Sequence, residues 1–248
     1  MEQNLNRIVT LMKQSSNTVV VTGAGISTEA GIPDFRGENG IYRKIGEDRV
    51  MQIINIDFFN RHPEEFYQFY REYFNFPAVE PSKAHYMLAE MEQKGFVQGI
   101  VTQNIDDLHQ KAGSKKVIPV HGTADQFICT EKMCRQRYGS DYVMKQKGVP
   151  TCAECGAILK PDVVLFGENI YNYGTAQEAI SKARLLIVIG SSLTVYPLAG
   201  FVREFSTFTQ DLVIINKGPT QLDHAALVKV DTGSTGDFLE RITQGLTR

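Results

Sequence analysis

Five short runs of apolar, mostly β-branched residues recur along the 248-residue chain and are separated by segments with helical spacing. They cover residues 17–22, 97–103, 116–120, 185–190 and 212–216. Most of these runs are continuously apolar rather than alternating, a pattern that is typical of parallel strands covered on both faces. Strands that alternate with helices predict a doubly wound parallel α/β sheet.

Helices are predicted between these runs from apolar spacing and from capping residues. The segment Ser82 to Lys94 has a serine cap and stops before Gly95. A second helix, over residues 175–184, is predicted to open with a capping box formed by Thr175 and Glu178, and Asp237 is predicted to cap the last helix.

The composition is typical of a soluble globular protein, with a net charge of -2 at pH 7 and 42% hydrophobic residues. Such a balance gives no support to nucleic acid or to an anionic membrane as a partner. Residues 1–16 have the spacing of an amphipathic helix and lack the apolar block of a secretory signal, and the apolar run 185–189 is too short to span a bilayer. We therefore expect a cytoplasmic location with reduced cysteines.

Small and polar residues follow the predicted strands at their carboxyl ends. They are Gly23, Ala24 and Gly25, then Gln103, Asn104, Ile105 and Asp106, then His121, then Gly190, Ser191 and Ser192, and finally Asn216. In open α/β sheets ligands bind outside the carboxyl ends of the strands, so we expect these residues to converge on one crevice. Glycine, serine and asparagine also occur at strand ends simply as turn formers, but that reading does not account for glutamine, aspartate and histidine at successive ends.

Two insertions interrupt the predicted sheet. Residues 37–75 carry an aromatic stripe at helical spacing, which predicts a small helical module docking onto the sheet. Residues 123–160 carry all four cysteines. The two insertions are expected to form a small domain, and a discontinuous Rossmann-like domain is expected to be assembled from residues 1–36, 76–122 and 161–248.

The cysteines form two pairs, Cys129-x4-Cys134 and Cys152-x2-Cys155, separated by seventeen residues. Two such pairs in a cytosolic chain predict a tetrahedral zinc site in preference to disulfides or to four unrelated thiols. Because four thiolates leave no coordination position for water, the metal is predicted to be structural.

The first glycine-rich loop begins as a dinucleotide-binding fingerprint and then departs from it. Gly23 and Gly25 match the first two glycines of G-x-G-x-x-G, but Thr28 occupies the third position. A hydride-transferring enzyme would place a ribose-binding acid about 20 residues later, where this chain has its first insertion. The glycines still permit a close approach to a pyrophosphate. Phe35 and Arg36 then either face the crevice or serve as core filling and a surface ion pair.

Taken together, the chain resembles the sirtuin family of NAD-dependent protein deacylases through GAGIST with GIPDFRG, TQNID, His121-Gly122, the four cysteines, VVLFGE, GSS and LVIIN. The sequences of these motifs most resemble those of the bacterial deacetylase type. The resemblance implies NAD as co-substrate and one structural zinc ion. It also implies acetyl-lysine proteins or peptides as substrates, with nicotinamide as a product and inhibitor.

The resemblance assigns a role to each motif residue by its position. For NAD binding it implies Gly23, Ala24, Gly25, Thr28, Phe35, Arg36, Gln103, Asn104, Ile105, Asp106, His121, Gly190, Ser191, Ser192, Asn216 and Lys217. Asn104, Ile105 and Asp106 would form the nicotinamide pocket, and Asn104 and His121 would be catalytic. For pairing with an extended peptide it implies Val164, Phe166, Gly167 and Val195.

In the reaction of the family, the acyl oxygen of a modified lysine attacks the ribose as nicotinamide departs. His121 would then accept a proton from the ribose hydroxyl that takes the acyl group, a task suited to a side chain with an ordinary pKa of about 6.5. Asp106 is expected to bond to the nicotinamide amide, since a carboxylate deep in the pocket would otherwise have no partner. His85 and His109 are expected to have cap or core roles, with no catalytic cluster nearby.

The acyl group is expected to be uncharged. Relatives that prefer succinyl or malonyl groups carry a tyrosine followed three residues later by an arginine, whereas this chain has Tyr70 followed by Tyr73. Arg71 lies one helical step from Tyr70, about 100 degrees around the axis, and would point elsewhere. The presence of His121 favours deacylation over the ADP-ribosyl transfer of some relatives.

Two other classes of function stay open at this stage. A zinc ribbon that binds nucleic acid is disfavoured because acidic residues offset the basic ones in the second insertion and no aromatic residues interleave with them. A dehydrogenase is disfavoured by the missing ribose acid.

Overall fold

Nine strands lie in the part of the chain that the computed structural model describes, residues 1–76, 79–208 and 211–248. They are β1 Thr18–Thr22, β2 Gly99–Thr102, β3 Val117–Pro119, β4 Gly122–Cys129, β5 Arg137–Gly139, β6 Leu159–Val163, β7 Leu185–Ile189, β8 Leu212–Ile215 and β9 Val228–Val230. Six of them form one sheet in the order β3-β2-β1-β7-β8-β9, and every neighbouring pair is parallel. The predicted doubly wound parallel sheet is confirmed.

The direction of winding reverses between β1 and β7. From β1 the chain proceeds through β2 and β3 toward one edge of the sheet, and from β7 it proceeds through β8 and β9 toward the other edge. The ligand crevice of an open α/β sheet lies at such a reversal, outside the carboxyl ends of the strands. Thr22 and Ile189, the last residues of β1 and β7, are paired partners, so the loops that follow them start side by side.

Eleven α-helices occur in the same described residues. They are α1 Glu2–Gln14, α2 Ile41–Ile45, α3 Glu47–Ile53, α4 Ile56–Arg61, α5 Pro63–Tyr73, α6 Lys83–Gln93, α7 Leu108–Lys111, α8 Ser140–Met144, α9 Tyr173–Ser181, α10 Leu198–Phe208 and α11 Thr235–Leu246. None of the helices described is long and apolar enough to cross a membrane.

Both faces of the parallel sheet are covered by helices. Val20 and Ile187 point to the face packed by α1, α6 and α11, whereas Val19 and Leu186 point to the face packed by α9 and α10. Successive side chains of a strand face opposite sides, so coverage on both sides requires apolar residues at every position. This is why the strand sequences read as continuous apolar runs.

The two insertions share a third core. Strands β5, β4 and β6 form a small antiparallel sheet in that order, and the aromatic side of α5 packs against it. The hydroxyl of Tyr67 donates to the Leu159 carbonyl, and that of Tyr70 donates to the Ala124 carbonyl at 3.0 Å. The predicted helical module is therefore present, but its aromatic stripe docks mainly on the cysteine-bearing insertion rather than on the parallel sheet.

Several boundaries differ from the sequence prediction. Helix α9 begins after Asn172 instead of at Thr175, so Thr175 forms no capping box, and Glu178 pairs with Lys182 instead. The last helix is capped by Ser234, whose Oγ accepts the backbone N–H of Asp237 at 3.1 Å. An aspartate within the first turn satisfies the same helix charge preference as a cap, so the pattern did not distinguish the two positions. Strand β9 was not predicted.

Candidate active site

Three glycines bring the loops after β1 and β7 into direct contact. The N–H of Gly25 donates to the carbonyl of Gly190 at 2.9 Å. A Cβ atom at Gly23 would lie 2.8 Å from the Gly190 oxygen, and one at Gly25 would lie 2.7 Å from the Gly190 Cα. Gly190 itself has a φ of 63°. Glycine is therefore required on both sides of this contact by lack of space, and at Gly190 also by backbone conformation.

The loop after β1 continues as a short 3-10 helix, Ala24–Ala30, which replaces the long helix of a dinucleotide fingerprint. Thr28 is exposed and its hydroxyl donates to the Gly25 carbonyl at 2.9 Å. The neighbouring Ser27 is fully buried and points toward the loop after β2. The loop thus turns one hydroxyl into the crevice wall and keeps the next at the surface.

Ser27 joins two of the predicted pocket residues. Its hydroxyl donates to Oδ2 of Asp106 at 2.6 Å and accepts from Nδ2 of Asn104 at 3.1 Å. The other oxygen of Asp106 accepts the backbone N–H of Leu108 at 3.0 Å. The expectation that Asp106 has no partner apart from nicotinamide is wrong, because the chain itself satisfies one lone pair on each oxygen. Each carboxylate oxygen retains a second acceptor position.

Two buried histidines stand behind this group. The ring nitrogen Nδ1 of His85 accepts the backbone N–H of Ser82 at 3.2 Å, so the neutral ring carries its proton on Nε2, which lies 3.5 Å from the Ser27 hydroxyl. The rings of His85 and His109 meet edge to face at 4.8 Å, and Nε2 of His109 lies 2.9 Å from the Thr22 hydroxyl. Burial lowers the pKa of His85 to about 4 and that of His109 to about 3.

The expected cap and core roles of these histidines are confirmed, since His85 completes the capping box of α6 and both rings are buried. The expectation that they lie away from any cluster is wrong. His85 contacts the Ser27 hydroxyl, which bonds to the predicted pocket residues Asn104 and Asp106. The lowered pKa values favour the neutral form of both rings near pH 7.

His121 follows β3 and is half-buried. Its Nδ1 lies 3.0 Å from the backbone carbonyl of Gln103. A carbonyl only accepts, so Nδ1 carries the proton and Nε2 is the basic nitrogen of the neutral ring. Burial lowers the pKa of His121 below its ordinary value, and the bond to Gln103 opposes that shift. The side chain of Gln103 in turn accepts the Ser191 hydroxyl at 2.9 Å, which links His121 to the loop after β7.

The remaining predicted NAD residues lie around the rim of the crevice. Phe35 packs against Tyr42 and Phe74, with ring centroids 5.4 and 6.2 Å apart, while the exposed Arg36 pairs with Glu47 at 2.9 Å. The apolar packing and the surface ion pair considered from sequence are therefore both present. Ile105 packs against the third core and accepts the Ala124 N–H through its carbonyl at 2.8 Å.

At the far end of the crevice, Ser192 bonds to the Thr194 hydroxyl at 3.0 Å. The side chain of Asn216 donates to the carbonyls of Lys217 and Gly218. Lys217 is exposed and its Nζ lies 3.7 Å from Glu38 of the first insertion. Lys217 and Arg36 are thus both held by acids from outside the parallel sheet.

The segment predicted to bind peptide runs along the edge of the first insertion. The N–H of Phe166 donates to the Ile54 carbonyl at 2.9 Å, and its own carbonyl accepts the Ile56 N–H at 3.0 Å. Val164 donates to the His121 carbonyl at 2.9 Å. The backbone of Gly167 has no hydrogen-bond partner among the residues described. Val195 is half-buried and precedes α10.

The four cysteines converge as the spacing predicts. Their sulfur atoms all lie within 4.8 Å of one another, with Cys129 and Cys155 at 3.4 Å and Cys134 and Cys152 at 3.7 Å. Zinc–sulfur bonds of about 2.3 Å give a tetrahedral edge of roughly 3.8 Å, so these separations suit one zinc ion. A disulfide requires about 2.05 Å, and all four cysteines are free.

Comparison with known proteins identifies the family of the chain. The family model described as "Sir2 family" matches residues 23–197, from the glycine loop to the start of α10. The chain belongs to the Sir2 family. The resemblance found in the sequence motifs is confirmed.

Relatives in the Sir2 family match the chain over nearly its full length. The NAD-dependent protein deacetylase of Thermotoga maritima is 44% identical over 247 residues, covering 97% of each chain. The NAD-dependent protein deacylase 2 of Archaeoglobus fulgidus is 39% identical over 255 residues, covering 100% of this chain and 98% of the relative.

Solved Sir2 structures agree with the fold. One with a deacetylated p53 peptide and 3'-O-acetyl ADP ribose has a TM-score of 0.91 at 41% identity and covers 97% of both chains. Another with a p53 peptide and NAD+ has a TM-score of 0.86 at 40% identity and covers 96% of both chains.

Ser27 bonds to two of the predicted site residues, and the sequence patterns did not identify it. It lies between an apolar residue and the predicted Thr28, and nothing in local spacing says which of two adjacent hydroxyls faces inward. The available signal was its position within GAGIST, the loop already assigned to the cofactor.

Proposed function

We propose that the protein is an NAD-dependent protein lysine deacetylase. It transfers the acyl group of an N-ε-acyl-lysine to the ADP-ribose part of NAD, with release of nicotinamide and O-acetyl-ADP-ribose. The observation that carries the proposal is the orientation of His121 at the carboxyl end of β3, where its Nδ1–H bond to the Gln103 carbonyl leaves Nε2 as the basic nitrogen. The Gln103 side chain in turn accepts the hydroxyl of Ser191, in the loop after β7. The deacetylases among its relatives support the same activity.

In this proposal NAD supplies a leaving nicotinamide and a ribose hydroxyl that receives the acyl group. His121 accepts the proton of that hydroxyl at Nε2. Its lowered pKa keeps the ring neutral and ready to accept a proton at physiological pH. The Gln103 carbonyl fixes both the tautomer and the direction of the ring.

Asn104, Ile105 and Asp106 form the proposed nicotinamide pocket. The bonds through Ser27 hold the Asn104 and Asp106 side chains in place before any ligand arrives. The remaining acceptor positions of Asp106 then suit the N–H groups of an amide. Preorganised polar groups of this kind need no rearrangement on binding.

The glycines after β1 and β7 are proposed to admit the pyrophosphate, and the loops ending in Ser191, Ser192 and Asn216 to hold the adenosine half. Phe35 and Arg36 are proposed to cover the nicotinamide ribose. The rim ion pair between Arg36 and Glu47 is exposed and weak, so it does not prevent Arg36 from turning toward a phosphate or ribose.

The peptide is proposed to bind as an added strand beside Val164, Phe166 and Gly167, with Val195 on its other side. Both backbone groups of Phe166 already bond to the first insertion, so its contribution to peptide binding comes from the side chain. Gly167 supplies backbone groups that have no partner among the described residues.

Acetyl or another uncharged acyl group is the proposed cargo. Tyr70 is buried with its hydroxyl on the Ala124 carbonyl, and the guanidinium of Arg71 bonds to the Gln146 and Gly148 carbonyls of the second insertion. Arg71 is therefore already engaged by backbone carbonyls, which supports an acyl site without a cation for a carboxylate. Succinyl-lysine turnover that equals or exceeds acetyl-lysine turnover would contradict this assignment.

We further propose a two-domain organisation with residues 1–36, 76–122 and 161–248 as the NAD-binding part and the insertions 37–75 and 123–160 as the small domain. The separate third core of the insertions supports this division. A cytoplasmic location and inhibition by nicotinamide are proposed on the same family grounds.

The test is mass spectrometry of an acetyl-lysine peptide incubated with the zinc-loaded protein, with and without NAD. Loss of one acetyl group together with O-acetyl-ADP-ribose is expected only with NAD. His121→Ala is expected to abolish both, while His224→Ala, which alters an exposed histidine, is the matched control. Free nicotinamide with an unchanged peptide would instead indicate ADP-ribosyl transfer.

A further inference from the structure

The phenol of Tyr138 contacts one of the cysteine sulfurs. Tyr138 lies on β5, and its hydroxyl oxygen is 3.1 Å from Sγ of Cys152. The same oxygen accepts the backbone N–H of Ala153 at 3.0 Å. An N–H group only donates, so the hydroxyl proton is free to point at the sulfur. A cysteine bound to zinc is a thiolate, which accepts and cannot donate.

The ring of Tyr138 is held in place by α8 and its flanking residues. It stacks on Tyr142 with centroids 4.4 Å apart and an interplanar angle of 24°. Tyr142 donates to the Thr151 carbonyl at 3.3 Å, and the Gln146 side chain bonds to both the N–H and the carbonyl of Thr151. The residue that precedes Cys152 is therefore fixed by the same surface that positions the phenol.

The two cysteine pairs differ in this respect. Across residues 1–76, 79–208 and 211–248, Tyr138 is the one side chain other than cysteine that makes a hydrogen bond to a cysteine sulfur. Backbone bonds do not distinguish the pairs, because the N–H groups of Cys129, Cys134 and Cys152 each donate to a backbone carbonyl. A side-chain donor other than cysteine is thus placed on one ligand of four, whereas Cys129 and Cys134 have backbone donors at Glu131 and Gln136.

We propose that Tyr138 is a positioning residue for the structural zinc, donating a hydrogen bond to the Cys152 thiolate and thereby slowing loss of the metal. The bond withdraws negative charge from the sulfur and fixes its direction relative to the ion. Partners of metal ligands contribute about 10- to 100-fold to metal affinity in other proteins. The proposal rests on the four-cysteine site and is independent of the acyl-transfer reaction.

The experiment compares Tyr138→Phe with Tyr142→Phe. Each variant loses one phenol oxygen and keeps the stacked rings, but only Tyr138 touches sulfur. Zinc-loaded proteins are mixed with a chromogenic chelator and metal release is followed with time. Tyr138→Phe is expected to release zinc about tenfold faster than the wild type, with Tyr142→Phe close to the wild type.

Cobalt substitution provides a signal that a purely structural role would not change. Removing a hydrogen bond from a thiolate makes its electrons easier to excite, so the sulfur-to-cobalt charge-transfer band is expected to move to lower energy in Tyr138→Phe alone. Deacetylation by the zinc-saturated variant is expected to match the wild type. Folding of Tyr138→Phe that is restored by excess zinc would also support the proposal.

Three results would overturn it. They are equal zinc release by Tyr138→Phe and the wild type, equal acceleration in both tyrosine variants, and an unmoved cobalt band. A Tyr138→Phe protein that stays unfolded despite excess zinc would likewise show that the hydroxyl serves the fold and not the metal.

Discussion

The inner wall and the rim of the crevice are built in different ways. The inner wall consists of the buried Ser27 and Asp106 and the half-buried Asn104, which are joined through the Ser27 hydroxyl. The rim carries Arg36 and Lys217, both exposed and paired with exposed acids. Buried polar groups are costly to leave unpaired, whereas exposed ion pairs contribute about 0–1 kcal/mol. The wall is therefore the fixed part of the proposed ligand site, and the ion pairs of the rim are weak enough to exchange for contacts with a ligand.

The largest effect is expected where the wall has no space. Gly25→Ala would place a Cβ 2.7 Å from the backbone of Gly190, so the two loops must separate. We expect a loss of unfolding free energy of about 1–3 kcal/mol, measured by chemical denaturation, together with loss of NAD binding by calorimetry. Gly174→Ala is the control, because nothing lies within 4 Å of its new Cβ. Equal behaviour of the two variants would contradict the close contact.

Ser27→Ala tests the bonds of the wall without changing its shape. The substitution leaves Asn104 and Asp106 each without one buried partner, which costs about 1–3 kcal/mol in unfolding free energy. Displaced pocket groups are expected to lower the rate of nicotinamide release by roughly 10- to 100-fold. Ser206→Ala is the control, because this half-buried helical serine bonds only to the Arg203 carbonyl of its own helix. Normal turnover by Ser27→Ala would show that the proposed pocket does not depend on the Ser27 hydroxyl.

A pH dependence is expected from the neutral histidines behind the wall. Burial lowers the pKa of His85 to about 4, while the unfolded chain binds that proton near pH 6.5. Stability contributed by the neutral ring is therefore complete above pH 6.5 and is lost as pH falls toward 4. The unfolding free energy is expected to fall by up to about 1.4 kcal/mol per pH unit for this proton.

In His85→Asn, the unfolding free energy is expected to depend less steeply on pH, by the contribution of one proton. The measurement is urea denaturation between pH 7.5 and 4.5. The same replacement at the exposed His224 is the control and is expected to keep the wild-type slope. An unchanged slope in His85→Asn would show that the ring is accessible to protons in the folded state.

The smallest effect is expected at the rim. Glu47→Gln removes the partner of Arg36 from an exposed pair, so the unfolding free energy is expected to change by less than about 1 kcal/mol. Glu38→Gln at the Lys217 pair is a companion variant with an equally small expected change. A loss comparable to that of Ser27→Ala would mean that the rim is as rigid as the wall and would remove the distinction between them.

Sequence patterns predicted the structure correctly where a pattern has only one common physical explanation. Continuous apolar runs predicted the covered parallel sheet, and the spacing of Cys129, Cys134, Cys152 and Cys155 predicted a cluster that the structure assembles. Both inferences depend on local spacing alone. The approach of polar residues at successive strand ends was also predictable, because the carboxyl ends of parallel strands lie along one edge of the sheet.

The remaining features depend on contacts between distant segments. Ser27 meets Asp106 across 79 positions of the chain, and a linear pattern does not show which of two hydroxyls turns inward. Tyr67 lay outside the predicted aromatic stripe yet is fully buried, since the second insertion covers another side of α5. The helices that were predicted to be capped by Thr175 and Asp237 begin instead after Asn172 and Ser234. Several neighbouring polar residues fit the cap position equally well, so the sequence alone did not select among them.

The bonds that flank Phe166 also bear on self-association. A bare strand edge is a template for other copies of the chain and a source of aggregation. Here both backbone groups of Phe166 are bonded to Ile54 and Ile56, and the N–H of Val164 is bonded to His121, so bonded groups interrupt the open ones along residues 164–167. The edge proposed to receive an extended peptide thus offers a second copy of the chain only a short stretch for strand pairing.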